Sequence, residues 1–211
     1  HKAMIERIIE SAILNDFPRK KVIVLLGARQ VGKTTLLESL RKKGQKVFSV
    51  NCDDMDDVLL IEEKTSTELR ALLAPYDLVF IDEAQRVKNI GLTLKKIGDL
   101  KLDTQVVVTG SSSLELADEV NEPATGRLIE YRLFPFSLSE LATHTSEREE
   151  QRMLEQRLIY GLYPEVVTFP GDAKRTLMTL ANNYLYKDLF SYRGLKKPDV
   201  LQKLLRALAL Q

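Results

Sequence analysis

Apolar residues recur along this chain in two rhythms, and the change from one to the other organises it. Ile5, Ile8, Ile9, Ala12 and Ile13 fall at helical spacing with Glu6, Arg7 and Glu10 between them. That pattern predicts a helix with one face on a core, ended by Pro18. Val22 to Leu26 is then an uninterrupted apolar run, as expected of a strand buried on both faces of a parallel sheet, and it stops at Gly27. Similar runs follow at Lys46 to Val50, Leu78 to Ile81 and Gln105 to Val108, each separated from the last by helix-length amphipathic sequence. Leu128 to Leu133 alternates apolar and polar positions and reads as an edge strand. Strand and helix alternate, which predicts an α/β fold built on a parallel sheet of about five strands flanked by helices.

After Pro135 the β-branched runs end and the pattern is helical. Ser137 with Glu140, and Ser146 with Glu149, have the spacing of capping boxes, in which side chains satisfy the free amides at a helix start. Gly161 and Pro164 break the helical run, residues 172–192 form a long helical segment, and Pro198 suits the first turn of a last helix. That helix carries a stripe of Leu201, Leu204, Leu205 and Leu208, which needs a partner. The chain is therefore expected to divide into a sheet unit, residues 1–135, and a helical unit, residues 136–211.

Composition narrows the function without naming it. Hydrophobic residues at 44% and charged residues at 29% are ordinary for a globular domain and exclude a low-complexity chain. Lys and Arg number 31 against 30 Asp and Glu, so a net charge of +1 gives no support to nucleic acid as a partner. A single cysteine, Cys52, and two histidines, His1 and His144, rule out an intrachain disulfide and a Cys/His zinc cluster, which suits a reducing, cytoplasmic setting. No apolar stretch reaches ~18 residues and no signal sequence is evident, so no membrane association is expected. The first residue is His1, and the amphipathic run opens at Met4, so the fold is expected to begin there rather than at His1 to Ala3.

The chemistry is written at the ends of the apolar runs. Gly27-Ala28-Arg29-Gln30-Val31-Gly32-Lys33-Thr34 has two glycines bracketing four residues and closing on Lys-Thr, between a predicted strand and a predicted helix. This is the pattern of a phosphate-binding loop. Glycines let the backbone wrap an anion, the loop amides point at the β-phosphate, and Lys33 bridges β- and γ-phosphates. Thr34 is the candidate Mg2+ ligand, and Thr35, by analogy with other such loops, reaches the α-phosphate.

Three further candidates follow. The run from Leu78 ends in Asp82 and Glu83, at the sheet edge where α/β folds bind ligands. Asp82 suits Mg2+ coordination, and Glu83 suits the orientation and polarisation of an attacking water. Both also suit the acidic start of a helix. The run from Gln105 ends in Thr109-Gly110-Ser111, and Ser111 is the candidate sensor of the γ-phosphate, though hydroxyls there are also ordinary turn residues. Arg127, opening the fifth strand, is either a charge-stabilising finger or the partner of a surface carboxylate.

Taken together, several segments resemble the prokaryotic AAA-like P-loop ATPases that carry a DUF4143 region at their C-terminus. They are the loop at Gly27, Phe80-Ile-Asp-Glu-Ala-Gln85, Val108-Thr-Gly-Ser-Ser-Ser113, Asn121-Glu-Pro-Ala-Thr-Gly-Arg127, Leu133-Phe-Pro-Phe-Ser137 and Gly161-Leu-Tyr-Pro-Glu165. The resemblance implies an ATPase core at 1–135 followed by a helical lid at 136–211, with the DUF4143 region beyond a helix like Pro198 to Leu210. It places Arg127 in a motif typical of the family and implies ATP as the nucleotide. No Asn/Thr-Lys-x-Asp guanine-reading motif follows the acidic strand. The expected function is Mg2+-dependent hydrolysis of ATP to ADP and phosphate, coupled to a conformational change of a region outside this chain. Rival readings are a slow ATP-gated regulatory switch and a nucleic-acid-associated motor. A second copy or a protein partner is expected to dock through the lid.

Overall fold

The computed structural model describes residues 4–111, 126–182 and 198–209. Its sheet has five strands: β1 (Val22–Gly27), β2 (Val47–Asn51), β3 (Leu78–Asp82), β4 (Gln105–Gly110) and β5 (Leu128–Leu133). They lie in the order β2-β3-β4-β1-β5, and every neighbouring pair is parallel. All five predicted strands are present, and the alternating one is at the edge, beside β1. The acidic strand β3 and the loop-bearing strand β1 are separated by β4. The carboxyl ends of all three meet along one edge.

Side-chain alternation builds two cores. Val22, Val24 and Leu26 of β1 join Val79, Ile81, Val106 and Val108 on one face. That face is covered by α3 (Met55–Ile61), α4 (Ser66–Leu73) and α5 (Ile90–Asp99). Ile23 and Leu25 join Leu78, Phe80 and Val107 on the other, beneath α1 (Ile8–Asp16) and α2 (Lys33–Ser39). A continuous apolar run is therefore needed because neither face of β1 meets water. The predicted first helix begins later than Ile5, at Ile8, and a 3-10 turn at Phe17–Arg19 follows where Pro18 ends it.

The rest of the described chain is helical: α6 (Leu138–His144), α7 (Glu147–Arg152), α8 (Leu154–Tyr160), α9 (Pro164–Thr168), α10 (Ala173–Leu180) and α11 (Pro198–Ala209). Ser137 and Glu140 form the reciprocal capping box that their spacing predicts. At α7, Ser146 accepts from the Glu149 amide. Gly161, at φ 77°, ends α8, and Pro164 takes the first position of α9, where its missing N–H costs nothing. Of the long segment at 172–192, α10 is described and the part beyond residue 182 lies outside the described residues. In α11, Leu204 and Leu208 are exposed, while the side chains of Leu201 and Leu205 are outside the described set.

Two buried ion pairs hold this helical part. Glu150 of α7 receives two hydrogen bonds from Arg157 of α8, at 3.0 and 3.2 Å, and a third from Thr145 at 3.1 Å. Arg7, just before α1, reaches across to Glu140 of α6 at 3.1 Å. The same guanidinium donates to the carbonyls of Val31, in the loop after β1, and Phe134, after β5, and lies over the Phe136 ring. Burial alone would raise the Glu140 carboxyl. The backbone amides of Ser137 and Ile8, with Arg7, outweigh it and hold Glu140 below the usual carboxylate range. A carboxylate whose folded pKa is depressed contributes stability that is present above its unfolded pKa, ~4.3, and is lost as pH falls through the folded value. Arg7→Ala leaves Glu140 buried without its cation, so a loss of ~3–5 kcal/mol is expected. Urea unfolding at pH 7 checks it, and the deficit should shrink as the pH falls below the unfolded carboxylate range and through the depressed folded pKa of Glu140, where the carboxylate takes up its proton.

Candidate active site

The loop between β1 and α2 is shaped by two glycines for different reasons. A Cβ on Gly27 would fall 2.7 Å from the Leu133 carbonyl, so the close approach of β5 excludes any side chain there. Gly32 has φ 99°, a conformation that L residues rarely adopt. Gln30, at φ 58°, adds a second left-handed turn, and alternation of this kind turns successive backbone amides into one concavity that suits an anion.

Lys33, the first residue of α2, is buried, with its Nζ 3.0 Å from the Gly27 carbonyl and 3.1 Å from that of Ala28. Its Nζ also lies 3.7 Å from Glu83 Oε1. Burial lowers the Lys33 pKa, and the carboxylates of Glu83 and Asp82 offset part of that effect. A triphosphate brought to this ammonium would favour the charged form further.

Asp82 ends β3 and faces the start of α2. Thr34 Oγ1 donates to Asp82 Oδ2 at 2.9 Å, and Thr109, from the neighbouring strand β4, donates to Asp82 Oδ1. Two adjacent ligands of an octahedral Mg2+ with bonds of ~2.05 Å sit ~2.9 Å apart, so the Thr34 and Asp82 oxygens already have a fitting separation. Both are hard oxygen donors, and Mg2+ at such sites takes its other ligands from water and phosphate.

Glu83 follows in an unusual backbone conformation, φ 54° and ψ 40°. A non-glycine residue there costs ~1–3 kcal/mol and persists only where its surroundings fix it. Here the Glu83 amide donates to Asp82 Oδ1 at 3.2 Å and to Thr109 Oγ1 at 3.1 Å. The twist turns the carboxylate away from the line of the strand and towards Lys33. Gln85, in the 3-10 turn Ala84–Arg86, donates to Glu83 Oε2 at 2.5 Å and accepts from the Ser111 amide at 3.2 Å. Ser111 itself is buried at the end of β4.

Lys33, Thr34, Asp82, Glu83 and Ser111 are thus gathered at the carboxyl edge of β1, β3 and β4. Arg127 is not. Residue 128 pairs with Val22 at the opposite end of β1, about six residues or ~20 Å from the loop. Its Nε is bonded to Asp99 of α5. A finger reaching this chain's own loop is therefore corrected to a surface ion pair, because β5 runs parallel to β1 and starts at the far edge of the sheet. Arg127→Ala measured alone is expected to keep phosphate release within about twofold of the parent chain, since exposed pairs contribute ~0–1 kcal/mol. Loss of turnover that returns on mixing with a Lys33→Ala chain would instead show that Arg127 serves a neighbouring copy.

Beside the loop opens a cavity of about 520 Å³, bounded by Met4 and Ile5 of the N-terminal segment, Gly32 and Thr35, and Phe136 and Pro164 of the C-terminal part. Its size and apolar lining are those of a small-molecule site. The sequence shows these residues but not their meeting, since they come from three distant segments. Thr109 and Arg7 were likewise missed as contributors. Only the position of Thr109 at the end of an apolar run hinted at its contact.

A parallel sheet with a phosphate-binding loop after β1, an acidic pair after β3 and a strand between them defines a P-loop nucleoside triphosphatase. A family model described as an AAA domain matches residues 19–142, and the chain belongs to that family. Residues 151–211 match a domain of unknown function, DUF8612, a family the resemblance did not name. Among curated proteins, an uncharacterized protein of Haemophilus influenzae is 26% identical, covering 99% of this chain and 56% of its own length. One from Methanocaldococcus jannaschii is 24% identical over 88% of this chain and 46% of its own. The chain spans about half the length of these relatives. The solved Walker-type ATPase of Pyrococcus abyssi is similar in fold, with a TM-score of 0.56 and 16% identity, over 92% of this chain and 77% of that one. Among the described residues, no helix is long and apolar enough to cross a membrane.

Proposed function

We propose that this chain binds ATP with Mg2+ and hydrolyses it to ADP and phosphate, residues 1–135 acting as the ATPase core and residues 136–211 as its lid. The observation that carries the reading is the meeting of Lys33, Thr34, Asp82 and Glu83 at one point of the sheet edge. Lys33 holds the β- and γ-phosphates, exchanging its contacts with the Gly27 and Ala28 carbonyls for phosphate oxygens. The amides of residues 27–35 surround the same phosphates. Thr34 and Asp82 would hold Mg2+, which neutralises charge developing on the phosphates. Glu83 accepts a proton from the water that attacks the γ-phosphorus. Ser111, buried at the end of β4 beside this group, senses the γ-phosphate. The apolar cavity takes the nucleoside end of ATP, with Thr35 at its junction with the phosphates.

This arrangement supports coupling between nucleotide and lid, because the cavity has walls from both parts and Arg7 joins the Val31 carbonyl to Glu140. The mover is then a region outside this chain, such as the DUF4143 region that the resemblance implies, or a second copy docked through the lid. Steady-state phosphate release from Mg·ATP tests the reading. A chain that binds Mg·ATP in calorimetry yet releases no phosphate overturns hydrolysis and leaves an ATP-gated switch.

A further inference from the structure

Gln85 directs its hydrogen bonds to Glu83 and Ser111, and through the first it holds the group on which hydrolysis depends. Its amide joins two partners of opposite need: the Glu83 carboxylate, which only accepts, and the Ser111 N–H, which only donates. One orientation of the amide satisfies both, with Nε2 on Glu83 at 2.5 Å and Oε1 on Ser111 at 3.2 Å. The reverse orientation would set oxygen against carboxylate and N–H against N–H. A glutamate in this place could not donate, and an aliphatic side chain could do neither.

The carboxylate it holds has two handles. Oε1 faces Lys33 Nζ at 3.7 Å and Oε2 takes the Gln85 amide, so the plane of the carboxylate is fixed from both sides. When phosphates draw the Lys33 charge to themselves, the first handle weakens. The second does not depend on Lys33, because Gln85 sits in the 3-10 turn after β3 and accepts from the Ser111 amide just past β4.

We propose that Gln85 is a positioning residue for hydrolysis: it keeps the Glu83 carboxylate aimed at the γ-phosphate once Lys33 has turned to the nucleotide, and it ties that aim to the end of β4. The proposal rests on the reading of Glu83 as the base. It requires that Gln85 affect turnover and leave nucleotide binding alone, and that its effect vanish when Glu83 cannot act as a base.

The test is a double-mutant cycle on the full chain with Mg·ATP, reading kcat by phosphate release and Kd by calorimetry. Gln85→Met keeps the length and removes both hydrogen-bonding ends. Gln85→Glu keeps the acceptor and sets a like charge against Glu83. Each is expected to lower kcat by about tenfold or more, in the range expected when a general base is displaced, with Kd within about twofold of the parent chain. In a Glu83→Gln background, Gln85→Met should lower kcat no further, since residues acting as one unit are not additive. If Gln85→Met lowers kcat equally in both backgrounds, or weakens ATP binding as much as it slows turnover, Gln85 is a structural residue and the proposal falls while Glu83 keeps its role. A parent-like kcat in both Gln85 variants has the same result. If Glu83→Gln alone leaves kcat unchanged, the reading of Glu83 falls first and the proposal with it. Thermal melting of each variant separates a folding defect from these outcomes, and a defect confined to Gln85→Met leaves Gln85→Glu to decide.

Discussion

Lys33→Ala is expected to abolish measurable ATP binding, lowering affinity by about 100-fold or more. The buried Nζ is already desolvated, its contacts are the carbonyls of Gly27 and Ala28 and the Glu83 carboxylate, and it needs only a small movement to exchange them for phosphate oxygens. Charge-assisted hydrogen bonds contribute ~1.5–3 kcal/mol each, and two phosphates would share this ammonium, so a loss of ~3 kcal/mol, or about 100-fold, is a lower bound. The change also leaves Glu83 beside the phosphate site without its cation, which adds repulsion to the lost attraction. Calorimetry with Mg·ATP checks it, alongside a melting curve to show that the chain still folds. Affinity equal to that of the parent chain would remove the loop from the nucleotide site altogether.

Glu83→Gln should separate binding from chemistry. The amide keeps the length of the side chain and removes only its capacity to take a proton, so ATP should bind as tightly as before or more tightly, because Lys33 loses a competing anion. Hydrolysis should slow by ~10² or more, the scale of a lost general base. Single-turnover measurement with excess protein isolates the chemical step from product release. Undiminished turnover would reduce Glu83 to an acid that opens a 3-10 turn.

The contrast between these two residues and Arg127 shows what a single sequence conveys. Lys33, Thr34, Asp82 and Glu83 were legible because each sits within a few residues of the end of an apolar run, and the carboxyl ends of parallel strands share one edge. The alternation of β-runs and helices then sufficed to bring them together. Arg127 sits at the beginning of such a run, and the parallel direction of β5 carries it to the far edge, next to Asp99. The direction of the strand decides which of its ends lies beside the loop, and a residue at the start of a parallel strand is placed away from it. The cavity and the Arg7 clamp were hidden for a related reason. Met4, Arg7, Phe136 and Pro164 look like ordinary core or turn residues until the chain returns to its own beginning. Gln85 was visible only as part of a motif, since its two partners, Glu83 and Ser111, follow different strands.

The strand order also has a bearing on how this domain is made. Ile23 pairs with Val107 and Val22 with Leu128, so the strand that carries the loop waits for both neighbours until most of the sheet unit has been synthesised. Pairings this remote close slowly, and translation at ~5–20 residues per second leaves β1 as an exposed apolar segment for several seconds. Gly27 lies against Leu133, the last residue of β5, so the nucleotide cradle is among the final parts to be secured. For a ribosome-bound chain, the ability to retain ATP should therefore be acquired late, after β5 has left the exit tunnel, and a chain stalled before Leu128 would present a bare edge of β1 to chaperones.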